Sequence, residues 1–129
     1  MTAWTPAELA GIANADELRI ASRRTDGTLR MPVIIWVVRD GDDLYVRSYK
    51  GREGSWFRGA RQHRQGHIRA GGVDKDVTFT EESDTAINDR IDAAYRAKYG
   101  RYGATYLDPM VAGAARAATL RLVPATGSR

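Results

Sequence analysis

The residues best suited to chemistry lie in one glycine-containing stretch near the middle of the chain. Arg47-Ser48-Tyr49-Lys50-Gly51 ends a predicted strand, and Ser55-Trp56-Phe57-Arg58 begins a predicted helix. A strand end, backbone amides beside glycines, a hydroxyl, a helix N-terminus and several cations are the parts of phosphate sites. Trp56 adds an aromatic surface able to cover a ring system. The stretch therefore predicts an anion site, with a solvated basic surface as the alternative.

The positive charge of the chain is concentrated in the same region. The formal net charge is +4, but residues 47–69 alone carry +6, with seven basic residues against Glu53. Arginine outnumbers lysine by 17 to 3, and its planar guanidinium suits bidentate contacts with phosphate or carboxylate. The basicity is therefore a local feature that needs its own explanation.

Nucleophilic and metal chemistry have little support. The chain has no cysteine, which excludes disulfides, thiol catalysis and cysteine-based zinc sites. His63 and His67 are the two histidines, and no carboxylate lies between them as a zinc protease motif requires. No serine occupies a Gly-x-Ser-x-Gly elbow. We therefore expect no bound metal and assign no catalytic residue.

Four tyrosines, at positions 95, 99, 102 and 106, follow a roughly helical spacing. Such a stripe is more often part of a core or a dimer interface than of a binding site. Because a buried tyrosine hydroxyl usually finds a polar partner, Tyr95 and Tyr102 are nevertheless the candidates for substrate contact.

The elements that must position these residues follow from periodicity and turn signals. Thr5-Pro6-Ala7-Glu8 is a capping box with proline at the first helical position, which predicts a helix over about 6–14. Further strands are predicted at about 17–24, 66–70, 75–80 and 119–123. Further helices are predicted at about 56–63, 84–103 and 110–118.

The strongest strand signal is the β-branched run at 33–38, which a turn at Asp40-Gly41 connects to a second strand at 44–49. Alternation places Leu44 and Val46 on one face of that second strand, and Tyr45 and Arg47 on the other. Because the first strand is apolar on both faces, we expect this hairpin to be central to the sheet.

Mainly antiparallel strands with helices set to one side indicate an α+β domain, most simply a small barrel. A length of 129 residues accommodates one domain, 1–129. It comprises an N-terminal helix in 1–15, barrel strands in 17–80, a long helix at 84–103 and a closing strand at 119–123. The sequence has no apolar run of membrane-spanning length and no signal-peptide pattern at its start. We therefore expect a cytoplasmic protein that does not associate with membranes.

Two sets of stretches in the sequence follow familiar patterns. The first set, between Arg19 and Phe79, is Ser22–Gly27, Arg30–Val33, Val46–Gly51 and Ser55–Arg58. The second set, spread over nearly the whole chain, is Asp16–Leu18, Trp36–Val38, Leu44–Ser48, Trp56–Ala60 and Asp92–Tyr99. The first set resembles the FMN-binding split-barrel superfamily, especially its small deazaflavin-dependent nitroreductases, and the second is similar to a bacterial family of unknown function, numbered 2255.

The resemblance implies a six-stranded split β-barrel with flanking helices, usually a homodimer with flavin sites along the subunit interface. It also implies that five residues face the phosphate of FMN or F420, with Trp56 beside them: Arg23, Arg24, Ser48, Lys50 and Gly51. Together with the basic residues Arg47 and Arg58 of the same region, these form the predicted cofactor-binding set.

The leading hypothesis is a flavin- or deazaflavin-binding oxidoreductase that moves hydride or electrons between its cofactor and a small organic molecule. In such a protein the cofactor does the redox chemistry, which explains why no acid–base or nucleophile motif stands out.

Two alternatives remain open. The barrel can be a flavin-free pocket that binds or rearranges a bacterial metabolite in a biosynthetic pathway. Two departures from the nitroreductase pattern favour this: Arg58-Gly59-Ala60 replaces an asparagine after the tryptophan, and Asp26-Gly27 replaces Ser-Gly. The other alternative is nucleic-acid binding through Arg47–Arg69, with Tyr49, Trp56 and Phe57 as stacking surfaces. It ranks last because no known nucleic-acid module fits the sequence.

Overall fold

A computed structural model of the chain describes residues 3–125, so the ends of the predicted domain, residues 1–2 and 126–129, lie outside the described residues. The described part contains seven strands and five α-helices. The strands are β1 (Leu18–Ser22), β2 (Val33–Ile35), β3 (Val38–Asp40), β4 (Asp43–Arg47), β5 (Gln65–Ala70), β6 (Val73–Glu81) and β7 (Thr119–Pro124). The helices are α1 (Pro6–Asn14), α2 (Ser55–His63), α3 (Thr85–Tyr99), α4 (Ala104–Val111) and α5 (Gly113–Arg116). The single helix predicted at 110–118 is therefore wrong, because extended backbone at Ala112 separates α4 from α5.

All the strands join one antiparallel sheet in the order β2-β1-β5-β6-β7-β4-β3. The two edge strands, β2 and β3, are consecutive in the chain and separated only by Trp36 and Val37. Three Cα–Cα steps span at most about 11 Å, so the sheet must curl until its two ends are neighbours. Because β2 and β3 pair with other strands and not with each other, the barrel is split at this seam. The predicted α+β split barrel is therefore confirmed, with seven strands where six were expected.

The seam corrects two expectations about the hairpin. The run at 33–38 is two short strands instead of one, and the β3–β4 hairpin lies at an edge of the sheet instead of its centre. The reason is visible at Val37, whose N–H donates to the Tyr99 hydroxyl (3.1 Å) and whose carbonyl accepts from Lys98 Nζ (2.7 Å). Side chains of α3 therefore take the hydrogen bonds that a neighbouring strand would otherwise form.

One apolar core fills the inside of the barrel and includes the N-terminal helix. The capping box of α1 is present, since the Thr5 hydroxyl accepts from the Glu8 N–H and the Glu8 carboxylate accepts from the Thr5 N–H. This fixes the start of α1, so that Leu9 and Ile12 are buried in the core. Trp4 closes this region by donating its indole N–H to the Leu122 carbonyl (3.0 Å).

A second core lies between the outer face of the sheet and the C-terminal helices. It consists of buried residues from β3, β4, α3 and α4: Val38, Tyr45, Ile91, Tyr95, Tyr99 and Met110. Leu44 and Val46 belong to the inner core and Tyr45 to the outer one, which confirms the predicted alternation along β4. Both faces of β4 are therefore covered, and the strand carries Arg47 at its end and Ser48 directly after it.

Candidate functional site

A cavity of about 590 Å³ opens where β2, the end of β4, the start of α2 and helix α4 meet. Its volume is within the range of small-molecule sites. Much of the lining is apolar: Val33, Ile34, Ile35, Trp36, Trp56, Pro109 and Met110. Polar groups come mainly from one segment of chain, and we call Ser48, Lys50, Gly54 and Ser55 the polar end of the cavity.

Ser48 is the most informative residue of the polar end. It is 2% exposed, its backbone is held by hydrogen bonds to Ala118 and Gly51, and it lines the cavity without a side-chain hydrogen bond to another of residues 3–125. Water or a ligand in the cavity can supply that hydrogen bond. A hydroxyl left unpaired beside a cavity is therefore positioned to bind a ligand.

Because Gly54 has no side chain, the Ser48 hydroxyl can lie against the beginning of α2. A Cβ at Gly54 would lie 2.5 Å from Ser48 Oγ, so a residue with a side chain would displace the serine. No side chain caps α2 at this end. The first N–H groups of a helix have no intrahelical acceptor and carry the positive end of its dipole. The glycine therefore places a free hydroxyl next to a free helix N-terminus.

Lys50 adds a cation to the same end of the cavity. Its ammonium lies 5.8 Å from the centroid of the exposed Tyr49 ring. In the described part of the chain it forms no ion pair. A hydroxyl, uncapped amides and an unpaired ammonium together match the chemistry of a phosphate or carboxylate group.

Arg47 was predicted to bind the cofactor; it belongs to the cavity lining, but the donors of its guanidinium are used by the protein itself. Its side chain is fully buried, and its five N–H groups are divided among protein acceptors: Thr119 Oγ1, Asp92 Oδ1, the Met110 carbonyl, the Asn88 carbonyl and Asn88 Oδ1. A guanidinium has five donors, so Arg47 has none left for a ligand. It connects β4 to α3, α4 and β7.

Four predicted cofactor residues lie outside the cavity lining, unlike Arg47. Arg23 donates to the Gly27 carbonyl and to Asp76, and Arg24 donates to Thr28 and the Leu29 carbonyl, so both brace the turn after β1. Gly51 is buried in the left-handed region (φ 74°) with Ala114 directly against it. Arg58 is exposed on α2. The cavity thus brings together only Ser48, Lys50 and Trp56 with their side chains available.

The two tyrosines proposed for substrate contact also lie outside the lining. Tyr95 is fully buried in the outer core, its hydroxyl has no partner, and burial raises its pKa well above the usual range. It therefore does not contact a ligand in the cavity. Tyr102 lies behind Trp36, with its ring centroid 5.7 Å from that of the indole, and its hydroxyl donates to Asp16.

Sequence reasoning missed the apolar lining from β2 and α4. Trp36, Tyr106 and Met110 line the cavity although they lie far apart in the chain. The available signal was the apolar character of 33–36 on both faces, which we interpreted as burial within the sheet. In the structure β2 is an edge strand, and Ile34 is 53% exposed beside the cavity.

Two broader properties of the described residues complete the description of the site. Within residues 3–125, no three His, Asp or Glu side chains come close enough together to hold a metal ion. No helix in that range has both the length and the apolar character needed to cross a bilayer.

Comparisons with known proteins agree with this geometry at the level of the fold. The family model described as "Uncharacterized protein conserved in bacteria (DUF2255)" matches residues 8–122. None of the curated proteins matches the sequence.

Three solved structures illustrate the similarity. The heme storage protein HutZ from Vibrio cholerae has a TM-score of 0.65 at 14% identity, covering 92% of this chain and 87% of its own. A conserved hypothetical protein from Mycobacterium tuberculosis has a TM-score of 0.63 at 10% identity, covering 96% and 81%. A FAD-binding protein from Mesorhizobium loti has a TM-score of 0.56 at 16% identity, covering 95% and 91%. At these identities the similarity establishes the split-barrel fold and nothing finer.

Proposed function

Because the chain belongs to the bacterial family DUF2255 and has the split-barrel fold, we propose that it binds FMN or F420 and acts as an oxidoreductase on a small organic molecule. The FAD-binding protein from Mesorhizobium loti supports a flavin in this fold. Heme, which the Vibrio cholerae neighbour stores, is less favoured because no histidine lines the cavity to serve as the usual axial ligand.

The observation that carries the proposal is the unpaired Ser48 hydroxyl beside the uncapped start of α2. A cofactor phosphate supplies the acceptors that these donors lack, and Lys50 balances its charge. Charge-assisted hydrogen bonds of this kind are shorter and stronger than neutral ones. The polar end therefore fixes the cofactor by its phosphate.

The apolar lining suits the ring system and its substrate. Trp56 and Trp36 offer aromatic surfaces, and β2 and α4 supply aliphatic side chains that exclude water. The lining contains no carboxylate or histidine, and we therefore assign its residues the role of positioning the reactants. A bound flavin or deazaflavin would supply the hydride or electron transfer itself. Uncharged molecules, with nitro compounds as the first to be tested, fit such a lining best.

Titration of the purified protein with FMN and with F420, followed by fluorescence, tests this proposal. We expect binding, and we expect Ser48→Ala and Lys50→Met each to weaken it by about 1.5–3 kcal/mol, or roughly 10- to 150-fold, as for loss of a hydrogen bond to a charged group.

Arg58→Met is the matched control, because it removes an equal charge from the exposed face of α2 outside the cavity and should leave affinity nearly unchanged. Absence of binding for both cofactors at tens of micromolar would contradict the proposal and favour the flavin-free pocket. Equal losses in Lys50→Met and Arg58→Met would indicate a diffuse charge effect instead of a phosphate site.

The same surface supports a homodimer. Large apolar side chains surround the cavity on the β2 side and are exposed: Met31 (82%), Ile34 (53%), Val33 and Tyr106. Exposed apolar groups that cluster at a site mark an interaction surface more often than a solvated one. A second copy covering them would bury this edge strand and complete the wall of the cavity.

Sedimentation of the wild type and of Ile34→Lys tests the dimer. We expect a dimer that the charged side chain dissociates, with weaker cofactor binding in the monomer. Ala86→Lys, at an exposed position of α3 outside the cavity lining, is the control for an added charge alone. A wild-type monomer at micromolar concentration would contradict this part of the proposal.

A further inference from the structure

The wall of the cavity formed by α4 contains an interrupted helical hydrogen bond. Thr105 and Pro109 are four residues apart in α4, and both line the cavity. Proline has no N–H group, so the Thr105 carbonyl lacks the donor that a helix normally supplies four residues later. Because residues at i and i+4 share one face of a helix, this open carbonyl belongs to the face of α4 that borders the cavity.

The residue after Pro109 fixes the position of this part of α4. Met110 is buried in the outer core, and its own carbonyl accepts a hydrogen bond from Arg47 Nη1 (2.9 Å). The C-terminal half of α4 is therefore attached to the sheet by a buried side chain and by a charged donor. The Thr105 carbonyl thus offers a hydrogen-bond acceptor whose place does not depend on a flexible side chain.

The indole of Trp36 lines the same cavity and is held as a flat surface. Tyr99 is fully buried and covers one face of the indole, with ring centroids 4.0 Å apart and planes inclined by 2°. The Tyr102 ring is 5.7 Å from Trp36 and 6.2 Å from Tyr99. A ring stacked on the second face of Trp36 would lie farther from Tyr99, because the indole would separate the two tyrosines. Neither tyrosine therefore covers the second face of Trp36, which can serve the cavity.

From these two features we propose that the α4 side of the cavity selects a flat ring that carries an N–H group. The ring stacks on the second face of Trp36, and its N–H donates to the Thr105 carbonyl. A site built to pair with a donor rejects a ligand that lacks the donor more strongly than an apolar pocket does. Thr105 and Pro109 thereby determine specificity through the backbone.

Two kinds of ligand have this chemistry. The ring systems of FMN and F420 both contain an imide N–H, and a heteroaromatic substrate can carry an N–H as well. The inference rests on the proposed function only for the choice between these two sources. It also gives the buried Tyr99 a role, which is to support the indole of Trp36 from behind.

Equilibrium dialysis of paired probes tests the inference without a phosphate-bearing cofactor. The first pair is lumiflavin and 3-methyllumiflavin, and the second is free indole and 1-methylindole; in each pair a methyl group replaces the hydrogen of the ring N–H. We expect the wild type to bind the N–H member of at least one pair more tightly, by roughly 2- to 10-fold, as for one neutral hydrogen bond. Pro109→Ala restores the helical N–H and occupies the Thr105 carbonyl, so this preference should fall to near unity.

Asp108→Ala is the matched control, because it also introduces alanine into α4 but lies at an exposed position outside the cavity lining and leaves Pro109 in place. It should keep the wild-type preference. Thr105→Val removes the hydroxyl but not the carbonyl, so it should keep the preference as well. Trp36→Leu should weaken both members of a pair by the same factor, because stacking does not depend on the N–H.

Several results would overturn the inference. One is the absence of a preference for the N–H member of either pair in the wild type, and another is a preference that survives in Pro109→Ala. Loss of the preference in Thr105→Val would assign the contact to the hydroxyl, and unchanged affinity in Trp36→Leu would remove the stacking surface. Because alanine is a better helix former than proline, Pro109→Ala should fold, and it decides the inference even where Trp36→Leu does not fold.

The outcome also identifies the source of the N–H and is separable from that of the cofactor titration. A preference within the lumiflavin pair assigns the N–H to the cofactor, and one confined to the indole pair assigns it to the substrate. A preference that Pro109→Ala abolishes, in a protein that binds neither FMN nor F420, refutes the cofactor and leaves the ring site intact. Binding of FMN or F420 without such a preference refutes the ring site alone.

Discussion

Arg47 and the polar end of the cavity are neighbours in the chain, yet the polar groups of Arg47 have hydrogen-bond partners within the protein and, within residues 3–125, the side-chain polar groups of the polar end do not. The five N–H groups of Arg47 are all used by protein acceptors. The Ser48 hydroxyl, the Lys50 ammonium and the start of α2 have no side-chain hydrogen-bond or ion-pair partner within residues 3–125. The first region connects elements of the fold, and the second has donors without a protein partner among those residues, which is why we propose that it binds a ligand. The number of satisfied donors, more than residue type, distinguishes the two regions.

The difference has a physical origin. A guanidinium taken out of water is tolerated only when opposite charge and acceptors replace its hydration, and α3, α4 and β7 supply them to Arg47. Ser48 and Lys50 border a cavity, where water or a ligand can supply what the protein does not. The predictions below test this distinction in order of expected effect.

The largest effect is expected at Arg47. Arg47→Met leaves the Asp92 carboxylate and the Asn88 amide without their buried partner, so the free energy of unfolding should fall by about 3–5 kcal/mol, measured by denaturant titration. Arg90→Met is the matched control, since it breaks the exposed pair with Asp40 (3.1 Å) and should cost about 1 kcal/mol or less. Equal losses in the two variants would remove the basis for treating Arg47 as structural.

The next effect concerns the contact between Ser48, which follows β4, and Gly54, which precedes α2. Gly54→Ala places a methyl group 2.5 Å from Ser48 Oγ, and such overpacking should cost about 1–3 kcal/mol of stability and weaken cofactor binding. Denaturant titrations of the single and double variants with Ser48→Ala provide the measurement. Because the double variant lacks the clashing oxygen, it should be more stable than Gly54→Ala, by a coupling of about 0.5–3 kcal/mol. Additive effects would mean that the glycine serves another purpose.

The hydrogen bonds of His67 test whether satisfied donors stabilise the fold when the groups are only partly buried. His67 bonds Asp76 with Nδ1 and Asp74 with Nε2 on the exposed side of β5 and β6. Partial burial disfavours the charged ring, but the hydrogen bonds to the two carboxylates outweigh it and raise the pKa of His67 from 6.5. A raised folded-state pKa stabilises the fold fully below the unfolded value and loses that stabilisation as pH rises through the folded value.

Stability should therefore decrease as pH rises from about 6.5 through the folded-state pKa of His67, and His67→Gln should abolish this dependence. Because the pairs are partly solvated, the effect should be at most about 1 kcal/mol. Thermal unfolding at several pH values measures it. An unchanged pH profile in His67→Gln would show that another group is responsible.

The smallest effect on the free energy of unfolding is expected for substitutions of Ser48 and Lys50 themselves. In the absence of ligand, Ser48→Ala and Lys50→Met should each change the free energy of unfolding by no more than about 0.5 kcal/mol, because they remove groups without protein partners. Both side chains border the cavity, so their removal leaves no buried protein group without its partner. A loss above about 1 kcal/mol in either variant would place that residue with Arg47 among the structural groups.

Sequence reasoning was correct where residues close together in the chain determine the local structure. The capping box gave the start of α1, and alternation gave the two faces of β4. The approach of Ser48, Lys50 and Trp56 also followed from closeness in sequence, since a single turn and helix start connect them. That these three bind a cofactor remains a prediction.

The features that sequence reasoning missed depend on partners far along the chain. Arg47 was grouped with the predicted cofactor-binding residues because the sequence does not show which acceptors it meets. Those acceptors lie 41 to 72 residues away, on Asn88, Asp92, Met110 and Thr119. The division of 33–38 into two strands depends on Tyr99 and Lys98 of α3. Neither periodicity nor composition contains that information.

The amino-acid sequence by itself determined the α+β class, the approximate bounds of α1, α2 and most strands, the family and the location of the charged stretch, because hydrophobic spacing, caps and turns act over a few residues. Only the tertiary structure decided which cations of that stretch bond to the protein and which have no ion-pair partner within residues 3–125. It did so because buried polar groups must be satisfied in three dimensions, and their partners come from whichever elements the curled sheet brings together.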